Sequence, residues 1–171
     1  MSFPYIEENF ISLSECQRLI DYATLNKSEN VSHNDIYSMD VIWTDHGATY
    51  YGNDVDPVTP EENDDVVTKV TEKCKSLVDC QLGYVCIGRW PIGTFMKPHF
   101  DSNNVHTPNK VAAMLYLNND FEGRNLIFQD VTVKPEPGKL IIFENTKNLH
   151  YVDKVEDSER YALSFWYYSV E

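Results

Sequence analysis

The sequence lacks the features that mark membrane-spanning, secreted and zinc-knuckle proteins. No apolar run approaches the ~20 residues that span a bilayer. The opening MSFPYIEENF has neither the basic region nor the apolar region of a signal peptide. The four cysteines form no C-x-x-C pair, so neither a zinc knuckle nor a thioredoxin-like motif is indicated. We therefore expect a cytoplasmic protein with reduced thiols, and one disulfide stays open as the alternative.

Positive charge is also scarce. Only 14 Lys and Arg residues stand against 27 Asp and Glu residues, which gives a net charge of −13. Such a surface repels phosphate backbones and anionic lipid, so we expect neither nucleic acid nor a membrane as a partner. The same charge argues against a nucleic-acid demethylase, because single-stranded substrates usually bind in basic grooves. The acidic excess is expected mainly to serve solubility.

The chain does contain enough apolar and aromatic residues for one packed domain. It has 171 residues, of which 42% are hydrophobic and 13% are aromatic. A chain of this length buries a substantial core, and aromatic side chains pack well on pleated sheets. Because the sequence has no internal repeat and no low-complexity segment, residues 1–171 are predicted to form a single domain.

Two helical patterns precede a long β region. Apolar residues recur at helical spacing over 11–26 and 60–78. After residue 82, turn residues separate short runs that are β-branched or aromatic: YVCIGRW, TFMKPHF, KVAAMLYLN, NLIFQDVTV, GKLIIFE, NLHYV and RYALSFWYY. Strands at this spacing are typical of a sandwich or barrel. The predicted fold class is therefore α+β, and mainly β.

A candidate metal site lies in the stretch GTFMKPHFDSN. His99 and Asp101 are two residues apart, and such residues point to the same face of a strand. Phe100 between them then points the opposite way, into packing. An H-x-D pair alone is weak evidence, because a histidine on a strand is more often packed or solvated than bound to a metal.

A third ligand has to come from elsewhere in the chain. The remaining histidines are the candidates: His33, His46, His106 and His150. The first two precede the β region, and His106 lies in the loop just after Asp101. His150 starts a late strand that can return beside the first pair. Two histidines and one carboxylate leave coordination positions open, as in the non-haem Fe(II) oxygenases.

Arg160 is a second indication of a ligand site. In the run RYALSFWYY, Arg160 shares one strand face with Ser164 and Trp166. A buried arginine needs a partner, and its planar fork suits a carboxylate. That carboxylate comes either from the protein's own acids or from a dicarboxylate cosubstrate that chelates the metal at its other end. Ser164 is the candidate for a second donor to it.

In their number and order, these motifs resemble those of the 2-oxoglutarate- and Fe(II)-dependent dioxygenases, in the prolyl 4-hydroxylase-like branch. The segments that carry the resemblance cover nearly the whole chain: ENFISLSECQRLIDYA, GTFMKPHFD, LYLNNDFEGRNLIF, PEPGKLIIFEN and HYVDKVEDSERYALSFWYY. The last segment is most similar to the hypoxia-inducible-factor prolyl hydroxylases. In those enzymes an arginine takes the anchor role that a lysine has in collagen-type members.

The resemblance implies a fold and a set of site residues. The fold is a double-stranded β-helix, or cupin-like jelly roll, with N-terminal helices packed on one sheet. The implied Fe(II) ligands are His99, Asp101 and His150. The implied 2-oxoglutarate pocket consists of Arg160, which binds the distal carboxylate, and of Tyr116, Ser164 and Trp166. The three metal ligands and Arg160 are then the catalytic residues.

The resemblance also implies an activity. Members of this branch hydroxylate an unactivated C–H bond. The expected substrate is a prolyl residue in a peptide or protein, as for the procollagen-proline 4-dioxygenases. They need Fe(II), 2-oxoglutarate as cosubstrate and O2, release succinate and CO2, and use ascorbate as a reductant. Two alternatives stay open: the same chemistry on a free amino acid or other small substrate, and a non-catalytic jelly-roll binding module. The oligomeric state is not indicated.

A few positions depart from the pattern of this branch: Met96, Arg89 or Trp90, and Arg124. Members often carry tyrosines at the positions of Met96 and of Arg89 or Trp90, before the H-x-D pair. At the position of Arg124 they often have a second glycine. These departures concern the substrate pocket rather than the chemistry. Loops around 28–58 and 102–110 are expected to contact the substrate.

Overall fold

The computed structural model of the chain describes residues 3–27, 32–33, 38–44, 64–101, 109–120, 122–123 and 125–169. Within these ranges lie two helices, α1 (Leu13–Leu25) and α2 (Asp64–Leu77). Both lie where the spacing of apolar residues predicts them. The predicted start of the second helix, at 60–63, lies outside the described residues.

Helix α1 begins at a capping box. The hydroxyl of Ser12 accepts the backbone N–H of Glu15 at 3.2 Å, and the Glu15 carboxylate accepts the backbone N–H of Ser12 at 2.8 Å. These bonds satisfy N–H groups that the first turn of a helix cannot pair internally. The buried face of α1 carries Cys16, Leu19 and Ala23, which recur at helical spacing. The cap therefore sets where the helix starts, and the apolar residues set which face it buries.

The strands of the described residues are β1 (Tyr5–Glu7), β2 (Ser32–His33), β3 (Ser38–Thr44), β4 (Cys80–Trp90), β5 (Met96–His99), β6 (Asn109–Tyr116), β7 (Glu122–Gly123), β8 (Leu126–Phe128), β9 (Thr132–Val133), β10 (Leu140–Glu144), β11 (His150–Val152), β12 (Val155–Glu156) and β13 (Arg160–Ser169). They form three sheets. The largest has the order β1-β10-β6-β13-β4-β3-β2, the second has the order β5-β11-β8-β9, and the third pairs β12 with β7. Neighbouring strands are antiparallel. The prediction of a mainly β fold with two helices is confirmed.

One of the predicted strands is divided in two. The run 125–133 bends after Phe128, whose N–H donates to the carbonyl of Val131 at 2.8 Å. Gln129 and Asp130 are exposed at the bend. Because these polar side chains interrupt the apolar run, the chain folds back there and β8 pairs with β9.

The largest sheet carries a buried apolar cluster on each of its two faces. Leu163 of β13 belongs to the cluster that contains Leu19 of α1 and Val70 of α2. Trp166 of the same strand belongs to the other cluster, which contains Val152 of β11 in the second sheet. Side chains alternate across a strand, so β13 has a helix face, which packs with α1 and α2, and an inner face, which packs with the second sheet.

Two further findings concern membranes and disulfides. In the part of the chain that the structure describes, neither helix is both long and apolar enough to cross a bilayer. The four cysteines are buried and form no disulfide. Burial raises the pKa of the Cys16 thiol to about 11 and that of Cys74 to about 12. These thiols therefore stay protonated near neutral pH and pack as small apolar side chains.

Candidate metal centre and anchor pocket

Strand pairing brings together the three predicted metal ligands. His99 ends β5 and His150 begins β11, and the two residues are direct partners in the antiparallel pairing of these strands. Asp101 follows two positions later, just past the end of β5. The prediction that Phe100 between them packs inward is wrong, because its side chain is 40% exposed where the strand has ended. One potential ligand atom from each of the three residues lies within 4.8 Å of the other two. The H-x-D spacing therefore places an imidazole and a carboxylate side by side, and the neighbouring strand adds the second imidazole.

Backbone carbonyl groups hold both imidazole rings in the orientation that a metal requires. His99 Nδ1 lies 2.7 Å from the carbonyl oxygen of Lys97, and His150 Nδ1 lies 2.9 Å from that of Asn148. A carbonyl oxygen only accepts, so each Nδ1 carries the proton that it donates. In a neutral ring the Nε2 atom then keeps its lone pair for a metal.

Both Nε2 atoms face the same carboxylate oxygen. Asp101 Oδ1 lies 3.0 Å from Nε2 of His99 and 3.6 Å from Nε2 of His150. His99 Nε2 donates to Oδ1 only while it carries a proton. Once that proton leaves, three electron-rich atoms face one point, and a shared divalent cation would satisfy all of them at once. Two imidazoles and one carboxylate are the donor set that suits non-haem Fe(II), so the residues present fit this metal.

The pKa shifts at the cluster follow from burial and from the charge of Asp101. Burial alone would raise the pKa of Asp101, but the hydrogen bond from His99 and the two imidazoles outweigh it and hold that pKa below its usual range. Burial would lower the pKa of His99, but Asp101 outweighs it and raises that pKa. Burial lowers the pKa of His150, which favours the neutral ring that binds metals.

The second oxygen of the Asp101 carboxylate has a different partner. Trp166 Nε1 donates a hydrogen bond to Asp101 Oδ2 at 3.3 Å. Trp166 lies on the inner face of β13, in the largest sheet, whereas the metal ligands lie on or beside strands of the second sheet. The sequence predicted that Trp166 lines the cosubstrate pocket; it lies on the cavity wall, and its indole N–H also bonds the carboxylate of Asp101.

Arg160 is fully buried on the inner face of β13, with 0% of its surface exposed. Its Nε and Nη1 atoms have no hydrogen-bond partner among the described residues, and Nη2 contacts the Sδ atom of Met114 at 2.9 Å. A thioether is only a weak acceptor and carries no charge. Burial lowers the pKa of the guanidinium, and a buried positive charge without a partner is unfavourable. A carboxylate bound here would supply the missing partner.

Two aromatic rings fix the guanidinium. The ring of Trp90 lies 4.8 Å from the guanidinium carbon of Arg160, and the ring of Tyr116 lies 5.0 Å from it. Such cation–π contacts orient an arginine without neutralising it. The Tyr116 hydroxyl is also buried without a hydrogen-bond partner among the described residues, and burial raises its pKa to about 12. It therefore remains a protonated donor that is available to a ligand.

The acid whose charge influences Arg160 is Asp153, and it does not form an ion pair with the guanidinium. Asp153 raises the pKa of Arg160 through its charge, but this effect is smaller than that of burial. One oxygen of Asp153 accepts a hydrogen bond from Asn125 Nδ2 at 3.2 Å. The sequence left two sources for the carboxylate open: an acid of the protein or a dicarboxylate cosubstrate. Among the described residues, no acid contacts Arg160.

One cavity joins the metal cluster to the surroundings of the arginine. Its lining includes Asp101, His150, Ser164, Trp166, Trp90 and Met114. The last two residues also contact Arg160. The cavity therefore lies between two potential ligands and the residues that pack against the guanidinium, while Arg160 itself lies behind its wall. Ser164, which was predicted as a second donor, is buried on the cavity wall.

Some of the candidate residues are not brought to this cluster. Arg89 is next to Trp90 on β4 but forms an ion pair with Glu159 at 2.6 Å. His33 lies on β2, in the largest sheet. His46, His106, Arg124 and most of the two predicted substrate loops lie outside the described residues. Met96, another departure from the family pattern, lines the cavity.

Sequence reasoning missed several contributors to the site. Nothing in the sequence indicated that Met114 would contact the guanidinium or that the carbonyl groups of Lys97 and Asn148 would hold the imidazoles. Trp90 was noted only as a departure from a family pattern. Its place beside the guanidinium follows from strand pairing, since Trp90 of β4 is the direct partner of Arg160 in β13.

Comparison with known proteins identifies a family. Residues 83–168, which are just over half of the 171-residue chain, match the sequence model of the 2OG-Fe(II) oxygenase superfamily. A stretch of 70 residues is 33% identical to prolyl 3-hydroxylase 2 of Rattus norvegicus and covers 36% of this chain. That stretch covers only 10% of the relative.

The fold is similar to those of solved prolyl hydroxylases. A Pseudomonas putida prolyl-4-hydroxylase matches with a TM-score of 0.77 and 19% identity, over 98% of this chain and 92% of that one. A viral collagen prolyl hydroxylase from Paramecium bursaria Chlorella virus-1, in a 2OG complex, has a TM-score of 0.72 at 20% identity, over 99% and 97% of the two chains. A Trichoplax adhaerens prolyl hydroxylase, in complex with a peptide fragment of a hypoxia inducible factor, has a TM-score of 0.70 at 20% identity, over 96% and 83%.

Proposed function

Because the chain belongs to the 2OG-Fe(II) oxygenase superfamily, we propose that it is an Fe(II)- and 2-oxoglutarate-dependent dioxygenase that hydroxylates a prolyl residue in a peptide or protein. The observation that carries the proposal is a His–Asp–His cluster beside a cavity that also reaches Trp90 and Met114, the residues in contact with a buried arginine that has no carboxylate partner among the described residues. A keto diacid such as 2-oxoglutarate has a chelating end for the cluster and a carboxylate for the arginine.

The proposal treats residues 1–171 as one double-stranded β-helix domain. The two larger sheets would be its two halves, with α1 and α2 packed on the outside of the largest sheet. Two apolar clusters support this arrangement, since one joins both helices to the largest sheet and the other joins the largest sheet to the second. The metal cluster then lies between the two sheets, where an oxidant is shielded from water.

Bound Fe(II), together with 2-oxoglutarate and O2, supplies an oxidising power that no protein side chain has. The chain's own residues bind and orient. The Asp101 carboxylate neutralises one positive charge of the metal, and the carbonyl groups behind His99 and His150 keep each Nε2 atom aimed at it. Arg160 pairs with the distal carboxylate of the cosubstrate, and Tyr116 donates to the same group. These contacts fix the keto acid before any substrate binds.

The prolyl substrate is proposed from the relatives. The curated relative is a prolyl 3-hydroxylase, and the similar folds belong to prolyl hydroxylases, one of them solved with a peptide. The chain matches only a tenth of that curated relative, so the ring carbon that is oxidised is left to experiment. A role for ascorbate as reductant and a cytoplasmic location stay predictions.

An anaerobic titration tests the metal and cosubstrate part of the proposal. Fe(II) and then 2-oxoglutarate are added to the protein, and the weak visible charge-transfer band of the chelate is expected to appear. Asp101→Ala should abolish the band, and Asp130→Ala, which removes an exposed aspartate from the bend after β8, should leave it unchanged. A protein that gives no band and binds no metal would instead be a non-catalytic binding module.

Turnover of 2-oxoglutarate to succinate in air tests the ligand assignment. His99→Ala and Asp101→Ala should each abolish it, because the metal loses one of three protein ligands. Wild-type turnover in either variant would show that the ligand has been assigned wrongly.

A panel of proline-containing peptides tests the substrate. Mass spectrometry should detect one added oxygen on a proline, and chromatography against 3- and 4-hydroxyproline standards would identify the carbon. Succinate release that is stimulated by a free amino acid, with no oxidised peptide, would support the small-substrate alternative.

A further inference from the structure

The two oxygens of the Asp101 carboxylate contact different groups. Oδ1 faces the Nε2 atoms of His99 and His150 at 3.0 and 3.6 Å, and is the oxygen placed to bind a metal. Oδ2 accepts the indole N–H of Trp166 at 3.3 Å. A metal-binding carboxylate can use one oxygen or both, so a donor that engages one of them limits the number of coordination positions that the residue takes.

We propose that Trp166 is a positioning residue that holds Asp101 in a one-oxygen binding mode. The inference rests on the proposed function, because it assumes that Asp101 binds the metal. A bound metal would need positions for His99, Asp101 and His150 and also for the keto acid and O2. A second oxygen from Asp101 would compete for one of these positions. Hydrogen bonds to metal-binding carboxylates tune metal affinity in this way.

The backbone around Trp166 is built to present the indole. Opposite Trp166 and Tyr167, the register of β4 shifts from Tyr84 to Leu82, so that Gly83 is the extra residue of a β-bulge. A Cβ atom on Gly83 would collide with the ring of Tyr168, so a larger residue here would force that ring to move. Bulges near active sites re-aim side chains, and this one lies beside the residue that reaches Asp101.

Strand β13 carries residues that contact both the anchor pocket and the metal cluster. Arg160 and Trp166 lie on the same face of this strand, and they contact the anchor pocket and the metal-binding carboxylate respectively. The metal ligands themselves belong to the second sheet or its adjoining loop. The indole hydrogen bond therefore ties the second sheet's metal cluster to the strand that carries the cosubstrate anchor.

The test compares Trp166→Phe with a matched control, Tyr167→Phe. The first variant removes the indole N–H but keeps an aromatic ring. The second removes one polar group from the next residue of the same strand, on the helix face, where its hydroxyl lies 3.4 Å from that of Thr71. Calorimetric titration with Mn(II) should show affinity lowered by about 10- to 100-fold in Trp166→Phe, and affinity within twofold of wild type in Tyr167→Phe.

The coordination mode has its own readout. In the Co(II)-loaded protein, the visible absorption spectrum should change in Trp166→Phe, because the freed oxygen can enter the coordination sphere, and it should stay the same in Tyr167→Phe. Equal Mn(II) affinity and an unchanged Co(II) spectrum in a folded Trp166→Phe protein would overturn the proposal and leave the proposed function intact. Failure of the wild type to bind Mn(II) would overturn both.

A measurement on the wild type decides the matter if Trp166→Phe does not fold. The chain has three tryptophans, so a ¹⁵N-labelled protein gives three indole signals. Trp43→Phe and Trp90→Phe assign the signal of Trp166 by elimination. Titration with diamagnetic Zn(II) should shift this indole proton more than the other two. If it moves no more than they do, the hydrogen bond does not report on the metal and the proposal is wrong.

Discussion

The two faces of β13 differ in how their polar groups are satisfied. On the helix face, the Tyr161 hydroxyl donates to Glu159 at 2.8 Å, and the Tyr167 hydroxyl lies 3.4 Å from that of Thr71. On the inner face, Arg160 is buried with two nitrogens that have no partner in the described part of the protein. Polar groups on the helix face of β13 thus have hydrogen-bond partners, whereas the guanidinium on its inner face lacks them for two of its nitrogens.

This difference separates packing from binding. A buried polar group without a partner costs about 1–3 kcal/mol, so a face that serves only stability would not keep one. The helix face is built from apolar and paired groups and can be explained by burial alone. The inner face keeps groups that only a ligand would satisfy. Mutations on the two faces of β13 should therefore have opposite effects on stability and on ligand affinity.

The largest effect on stability is expected on the helix face. Leu163 is fully buried against the helices, so Leu163→Ala should lower the free energy of unfolding by about 2–5 kcal/mol through lost burial and a cavity. The affinity of the folded protein for 2-oxoglutarate should not change. Urea unfolding and calorimetric titration measure the two quantities. Leu163→Met, which conserves volume, should cost less than about 1.5 kcal/mol.

A change at Arg160 should have the reverse pattern. Arg160→Met removes an unpaired buried charge, so the ligand-free protein should become more stable by about 1–3 kcal/mol. Its affinity for 2-oxoglutarate should fall about 10- to 150-fold, since a hydrogen bond to a charged group contributes about 1.5–3 kcal/mol. Thermal unfolding and calorimetric titration with the keto acid check both effects.

Arg89→Met is the matched control for this experiment. Arg89 is also buried, but it is paired with Glu159. Its loss should lower the melting temperature and leave the affinity for 2-oxoglutarate near that of wild type. Unchanged affinity in Arg160→Met would remove the anchor role from Arg160, and an equal loss of stability in both variants would contradict the distinction between the two faces.

The smallest expected effect concerns pH and the two helices. A hydrogen bond from Lys69 of α2 lowers the pKa of Glu15 in α1 from 4.5 to about 2. Because the pKa is lower in the folded state, this contribution is present above pH 4.5 and is lost as the pH falls toward 2. The pair is near the surface, so it is worth about 0.2–1 kcal/mol at neutral pH.

Glu15→Gln should therefore flatten the loss of stability over this acidic range, while a glutamine still serves the capping box. Urea unfolding at neutral and acidic pH measures the effect, and Lys69→Met in a double-mutant cycle isolates the pair. An undiminished acid dependence in Glu15→Gln would mean that other carboxylates control this range. The metal site should be unaffected, because the pair lies on the helix side of the largest sheet.

Much of the fold and part of the site could be predicted because they depend on local patterns. Helical spacing located α1 and α2, and alternation along β13 separated Arg160 from the core residues beside it. The bend that divides 125–133 was missed, because two polar residues in an apolar run do not show whether a strand continues. The contact of Met114 with Arg160 was missed because the two residues are brought together only by strand packing.

By itself, the sequence determined which side chains share a face, since that depends on the geometry of a short backbone segment. It placed His99 beside Asp101 in this way. Only the tertiary structure decided which distant histidine joins them, that no described acid pairs with Arg160, and that the indole of Trp166 reaches Asp101. These contacts depend on which strands become neighbours and in which register, and that is settled by packing across the whole domain rather than by any local segment.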